Sequence, residues 1–157
     1  MPVPTPAHSS APNARRRVLI VEDDGLLNEL LVTAFSAHGF EAVPAWDGLQ
    51  ALALLNEERF DLLLTDIRMS MMDGIGLLEI LHERHTGLPA MVLSSAANFM
   101  GPDQLEKLRR LGAGAILPKP CPLNVLIETA GKLLGLTPGV GAGPVCAGAP
   151  APDARAS

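Results

Sequence analysis

Residues 60–74 read Phe-Asp-Leu-Leu-Leu-Thr-Asp-Ile-Arg-Met-Ser-Met-Met-Asp-Gly. The run Leu62-Leu63-Leu64 has no polar face, which is the pattern of a strand buried on both sides, and such strands belong to parallel sheets covered by helices. The strand stops at Asp66. Open α/β sheets bind ligands in the crevice beyond the carboxyl ends of their strands, so a carboxylate there is rigidly held and still reaches solvent. Alone, an Asp at a strand end more often only opens a turn, a position that Asp favours. Its company at the other strand ends decides between the two.

The same signature recurs along the chain. Arg17 to Glu22 is a second aliphatic run and closes on Glu22, Asp23, Asp24 and Gly25. The spacing of Leu26, Leu27, Leu30, Leu31, Ala34 and Phe35 predicts a first helix with those residues inward, stopped by Gly39. Phe40 to Ala45 reads as a short strand, and Pro44 confines it to a sheet edge because proline has no N–H for a ladder. Asp47 with Gln50 forms a capping-box pattern for a second helix burying Leu49, Leu52, Ala53 and Leu55. After the central strand, Asp73 and Gly74 start a third helix that carries Ile75, Leu78 and Leu81 inward. Pro89 to Ser94 is a fourth strand with Met91, Val92 and Leu93 buried, and Asp103 to Leu111 a short fourth helix ended by Gly112. Ala115 to Leu117 makes a fifth strand closed by Pro118-Lys119-Pro120, and a fifth helix runs from Pro122 to Leu134 with Leu123, Leu126, Ile127 and Ala130 inside.

Five alternations of strand and helix over about 120 residues predict a parallel sheet covered on both faces by right-handed crossovers. With the second strand at an edge, the simplest order is 2-1-3-4-5, and strands 1 and 3 then lie side by side where the winding reverses. One crevice collects the ends of four strands: Glu22 and Asp23, Asp66, Ser94, and Lys119. Residues 16–136 are expected to form this domain. The Pro-, Ala- and Ser-rich leader 1–15 and the Gly-, Ala- and Pro-rich tail 137–157 bury too little to offset the entropy of ordering them, and both are expected to be disordered.

Composition narrows the function classes. Of 157 residues 48% are apolar, yet only four Phe and one Trp are aromatic, so the core must be aliphatic. The net charge is −5 and the one basic run, Arg15-Arg16-Arg17, is too short for a nucleic-acid footprint, so no direct DNA or RNA contact is expected. Cys121 and Cys146 have no metal-like spacing and form no disulfide framework, which fits a cytoplasmic protein. No stretch approaches the ~20 apolar residues of a membrane span, and no membrane contact is expected.

The converging groups can be judged chemically. Carboxylates within ~5 Å of one another repel by a few kcal/mol per pair at an effective dielectric near 20, and a hard cation relieves this. Oxygen ligands suit Mg²⁺ or Mn²⁺. Such an ion could bridge the acids to an incoming phosphoryl group, with Asp66 as nucleophile. The Lys119 ammonium could neutralise one phosphoryl oxygen and the Ser94 hydroxyl donate to another. Each group alone has an ordinary reading: a helix cap for the acidic pair, solvation for Lys119, backbone satisfaction for Ser94. Four matching groups at four strand ends leave little room for coincidence.

Residues 16–134 resemble a response-regulator receiver domain of two-component signalling, through Val-Glu-Asp-Asp after strand 1, Leu-Thr-Asp-Ile-Arg-Met-x-x-Met-Asp-Gly around strand 3, and Leu-Pro-Lys-Pro after strand 5. The resemblance implies a doubly wound (βα)5 flavodoxin-like three-layer sandwich. It further implies that Asp66 is the phosphoacceptor, with Asp23 a direct metal ligand, Glu22 acting through water and the backbone carbonyl of Arg68 completing the site. Asp24 becomes a helix cap, Ser94 the switch hydroxyl and Lys119 the phosphoryl contact, followed by a cis Lys119-Pro120 bond. The partners implied are a sensor histidine kinase or a histidine phosphotransfer protein.

Departures from the family pattern are equally specific. Ser70 stands where proline is usual, Ala96 offers no polar group to orient water, and the loop from Ser94 to the fourth helix is long. The rotating aromatic of the family falls at Ile116, which is stiff about its first torsion and has no ring to swing. No output module is expected after the receiver, so a stand-alone regulator would signal by onward phosphotransfer or by protein contact through helix 4, strand 5 and helix 5, where Lys107, Arg109 and Arg110 make either a basic edge or an ordinary solvated face. An aspartyl-phosphate phosphatase is disfavoured because Arg68 stands where such enzymes carry a second acid, so no enzyme activity beyond self-catalysed phosphorylation and dephosphorylation is expected. A nucleotide binder is disfavoured because its first loop would present carboxylates to phosphate. The remaining alternative is a degenerate receiver used as a phosphorylation-independent docking module.

Overall fold

A computed structural model of the protein describes residues 15–69, 72–84, 86–95 and 101–136. The expectations for the leader 1–15, the tail 137–157, Ser70, Ala96 and the loop after Ser94 fall wholly or largely outside the described residues. In chain order the elements are β1 (Arg17–Val21), α1 (Gly25–Ala37), β2 (Glu41–Ala45), α2 (Gly48–Glu57), β3 (Leu62–Asp66), α3 (Gly74–Glu83), β4 (Ala90–Ser94), α4 (Pro102–Arg110), β5 (Ala113–Pro118) and α5 (Leu123–Leu133). The strands form one parallel sheet in the order β2-β1-β3-β4-β5, with β2 and its Pro44 at an edge as the missing N–H requires.

Alternation along the strands builds two cores from one sheet. Leu19, Val21, Leu63 and Val92 face α2, α3 and α4, where Ala51, Leu77, Leu78, Leu81 and Leu108 complete the layer. Val18, Ile20, Leu62, Leu64, Met91 and Leu93 face α1 and α5, against Leu31, Phe35, Leu126, Ile127 and Ala130. Every residue of β3 and β4 is buried, so the central strands are rigidly held up to their last residues, Asp66 and Ser94. Among the described residues no helix is long and apolar enough to cross a membrane.

Two helices are rotated from their expected faces. On α1, Leu26 is 82% and Leu30 50% exposed, while Asn28, Leu31 and Phe35 are buried. On α2, Leu49 is also exposed and Ala53 points outward, while Ala51 takes the buried place. Both helices carry more leucines than one inward stripe can hold. Which stripe turns inward is set by the sheet that the helix crosses, and hydrophobic spacing alone does not encode that choice.

The fifth strand begins earlier than expected, at Ala113, and contains Gly114. Ala90 pairs with Ala113 and Met91 with Ala115, so Gly114 is the extra residue of a bulge. A Cβ at Gly114 would lie 2.7 Å from Leu133 Cδ2. A glycine that reads as a strand breaker in the sequence is therefore what lets α5 lie close against the sheet.

At the amino ends of the strands, the Arg17 guanidinium reaches Glu58 at 2.6 Å and Glu41 at 3.2 Å and lies over the Phe60 ring, while its backbone N–H donates to Asp61 Oδ2 at 2.8 Å. The last of the three consecutive arginines is thus committed to holding β1, β2 and the segment before β3 together.

At the other end, Asp73 caps α3 by accepting from the Gly76 N–H at 2.8 Å, and the Gly74 N–H donates to the Ile67 carbonyl at 2.8 Å. This brings α3 so close to the end of β3 that a Cβ on Gly74 would overlap the Asp66 carbonyl oxygen. We predict that Gly74→Ala destabilises the protein by about 1–3 kcal/mol, the usual range for forced overpacking, read as a lowered midpoint in urea unfolding. An unchanged midpoint would refute the close contact.

Candidate functional site

The order of strands places the ends of β1, β3, β4 and β5 along one rim, and four of the residues expected there are buried or partly buried. Glu22 is 1%, Asp66 6% and Ser94 3% exposed, while Asp23 faces solvent. Carboxylate oxygens of Glu22, Asp23 and Asp66 lie within 4.8 Å of one another. The loop after β5 sends Lys119 across the rim. Its ammonium sits 3.0 Å from Glu22 Oε1 and 3.1 Å from Asp66 Oδ2, and the Lys119 backbone N–H donates to the Ser94 carbonyl at 3.0 Å. The Lys119-Pro120 peptide is cis, as expected.

Local structure explains how each acid is presented. Asp24 is the N-cap of α1, its Oδ1 accepting from the Leu26 and Leu27 N–H groups at 3.1 and 3.2 Å, and its own N–H donates to Glu22 Oε2 at 3.3 Å. Capping consumes Asp24 and leaves Glu22 and Asp23 as the acids of the crevice. Thr65 Oγ1 donates to the Asp66 carbonyl at 2.9 Å, so that oxygen is fixed on one side by a hydroxyl and on the other by the close approach of Gly74. Arg68 lies exposed two residues beyond Asp66.

Electrostatics identify the strained member. Burial pushes the Glu22 carboxyl above its ordinary value, with Lys119 opposing the shift and the Asp66 charge adding to it. Burial works to lower the Lys119 ammonium, but Glu22 and Asp66 outweigh it and hold it above its ordinary value. An ionised Glu22 is therefore incompletely compensated by one lysine shared with a second acid. The Oε1 atom, buried and in ion-pair contact with Lys119, lacks a hydrogen bond of good geometry among the described residues. A cluster of oxygens with one cation too few fits a small hard divalent ion, and Glu22, Asp23 and Asp66 are the side chains that would hold it.

Ile116 is not part of the crevice. It lies in the middle of β5, paired with Val92 and half-buried against the α2-α3-α4 core, two residues before the Ser94–Pro118 pair. Sequence reasoning missed Asn28, which is buried on α1 beside the acidic loop and donates to the Glu22 and Ala45 carbonyls at 3.0 and 2.9 Å. Its signal was an amide at helical spacing from Leu31 and Phe35, on what proves to be the inward stripe.

Known proteins with this arrangement are numerous. The family model for the response regulator receiver domain matches residues 18–130. A response regulator receiver protein of Anaeromyxobacter sp. (strain Fw109-5) is 42% identical over 113 residues, which is 72% of this chain and 46% of that protein. The Regulator of RpoS of Escherichia coli (strain K12) is 38% identical over 109 residues, 69% of this chain and 32% of that protein. The chain thus spans less than half the length of these curated relatives. Among solved structures, the receiver domain of the Francisella response regulator 1452 superposes with a TM-score of 0.70 at 30% identity, covering 77% of this chain and 98% of that one. The Vibrio cholerae chemotaxis protein CheY4 does so with a TM-score of 0.70 at 25% identity, covering 77% of this chain and all of the other. The fold is that of the receiver domains, and by its acidic crevice, its matched span and its relatives this chain belongs to the response regulator receiver family.

Proposed function

We propose that residues 16–136 act as a phosphoacceptor in a cytoplasmic two-component pathway, taking a phosphoryl group on Asp66 from a sensor histidine kinase or a histidine phosphotransfer protein. The observation that carries this reading is the clustering of the Glu22, Asp23 and Asp66 carboxylates, two of which, Glu22 and Asp66, share the ammonium of Lys119. An Asp66 oxygen attacks phosphorus in line. A P–O bond forms as the P–N bond of the donor imidazole breaks, and the released electron pair stays on the imidazole nitrogen, which takes up a proton. The Lys119 ammonium, already 3.1 Å from Asp66, neutralises one phosphoryl oxygen, and the Ser94 hydroxyl donates to another. Mg²⁺ or Mn²⁺ held by Glu22, Asp23, Asp66 and the Arg68 carbonyl would supply the positive charge that lets a phosphoryl group approach three acids. Signalling then proceeds by onward transfer or by contact of a downstream protein with α4, β5 and α5.

With Mg²⁺ and acetyl phosphate the protein is expected to gain one acid-stable, alkali-labile phosphoryl group, and Asp66→Asn to gain none. Undiminished labelling of that variant would falsify the assignment. A wild type that stays unlabelled would instead favour the phosphorylation-independent docking module.

Calorimetric titration tests the metal separately. Asp23→Ala should abolish measurable Mg²⁺ binding and Glu22→Ala only weaken it, the outcome expected of a direct ligand and of one acting through water. Equal and negligible effects would remove both from the metal site.

Ile116 bears on the strength of the switch. Driving a two-state equilibrium from 1:99 to 99:1 takes about 5.5 kcal/mol of differential stabilisation. Without an aromatic to repack at this position, the Ser94 and Lys119 contacts must supply nearly all of it. A graded switch is expected: on saturation with beryllofluoride, amide resonances beside Asp66 reach their limit while those of α4 and β5 stop between two states, and Ile116→Tyr moves them further along the same line. A single sharp distal state that Ile116→Tyr leaves in place would show that the switch does not depend on this residue.

A further inference from the structure

The buried residues of α1 are Asn28, Leu31 and Phe35, and the first is the odd member. Asn28 is 1% exposed. Burying an amide group without partners is costly, because the water it leaves is not replaced. Its Nδ2 donates to the Glu22 carbonyl at 3.0 Å and to the Ala45 carbonyl at 2.9 Å, but its Oδ1, equally shut off from solvent, has no hydrogen-bond partner among the described residues. A leucine would fill the same space without stranding an oxygen. The value of the amide lies in where its two donors point.

Both carbonyls stand where the sheet ends. Val21 and Ala45 are the last register pair of β1 and β2, and one further bond, Glu22 N–H to Ala45 carbonyl at 3.0 Å, continues the ladder. The Glu22 carbonyl belongs to the next peptide, which joins Glu22 to Asp23. Asn28 holds that peptide from the helix side and ties it to the end of β2. One acid hangs on either side of it: Glu22 turned inward to Lys119, and Asp23 facing the crevice, both in the cluster with Asp66. Rotation of this single peptide would change the separation of the two carboxylates.

We propose that Asn28 is a positioning residue of the cation site, fixing the Glu22–Asp23 peptide so that the two acids of β1 are spaced for one divalent ion. The proposal rests on the metal-dependent reading of the crevice given above. Groups that orient metal ligands from behind set affinity by about 10- to 100-fold when removed, because the ligands must otherwise be ordered on binding.

Asn28→Leu keeps the burial and deletes the donors. In the full chain, Mg²⁺ affinity is measured by calorimetry, the initial rate of labelling by acetyl phosphate is followed across an Mg²⁺ titration, and the urea midpoint is recorded. The Mg²⁺ dissociation constant should rise by about tenfold or more. Half-maximal labelling should need correspondingly more Mg²⁺, while the rate at saturation stays near that of the wild type and the urea midpoint moves little. A lowered midpoint with wild-type Mg²⁺ affinity would show that Asn28 serves the fold alone and overturn the proposal. If the leucine variant does not fold, Asn28→Ser, which keeps a donor too short to span both carbonyls, takes its place in the same titrations: weakened Mg²⁺ binding supports the positioning role, and wild-type Mg²⁺ affinity overturns it. Wild type that neither binds Mg²⁺ nor labels overturns the reading of the crevice itself, whereas wild type that does both beside an unaltered Asn28→Leu overturns only the role of Asn28.

Discussion

The ammonium of Lys119 sits 3.0 Å from Glu22 and 3.1 Å from Asp66, two carboxylates that are almost wholly buried. Removing one partner from a buried charge pair is far more damaging than the pair is stabilising, because the remaining charge has nowhere to go. Here a single cation serves two acids with a third, Asp23, close by. That arrangement dictates the topology around it. The acids must come from strands that are neighbours, β1 and β3, and the lysine must reach them from beyond β4, where its backbone is anchored to the Ser94 carbonyl at 3.0 Å. A different order of strands would leave the acids without their counter-charge.

Such a site is useful only if the sheet does not yield to the repulsion within it. The aliphatic layers on both faces supply the resistance, with β3 and β4 buried along their whole length. Close-packed interiors transmit strain and do not absorb it. The end of β3 is held further by the Thr65 hydroxyl on its terminal carbonyl and by Gly74 at the start of α3. The electrostatic frustration is therefore kept in the crevice, where a cation would relieve it.

The register of β4 against β5 links the crevice to the rest of that sheet edge. Ser94 pairs with Pro118 and Val92 with Ile116, so the proposed switch hydroxyl and the residue in the place of the family's aromatic are two steps apart along the same pair of strands. Ile116 is already half-buried against the α2-α3-α4 core. A β-branched side chain in that setting has few rotamers to exchange, which is why its contribution to any change of state is expected to be small.

Much of this protein was legible from residue order alone, because strands buried on both faces need unbroken aliphatic runs and because strand ends in such sheets carry the chemistry. Leu62-Leu63-Leu64, the edge proline Pro44, and the acids Glu22, Asp23 and Asp66 with Lys119 follow from local rules about faces, donors and charge, while the cap Asp24 came with the resemblance to receiver domains. The tertiary structure decided what those rules leave degenerate. It turned Leu26, Leu30 and Leu49 to the surface and Asn28 to the interior, since a helix with several possible apolar stripes takes its orientation from the sheet it lies on. It made Gly114 a bulge under Leu133 and Gly74 a contact point for the Asp66 carbonyl, because close approach depends on a distant element that the local sequence does not contain.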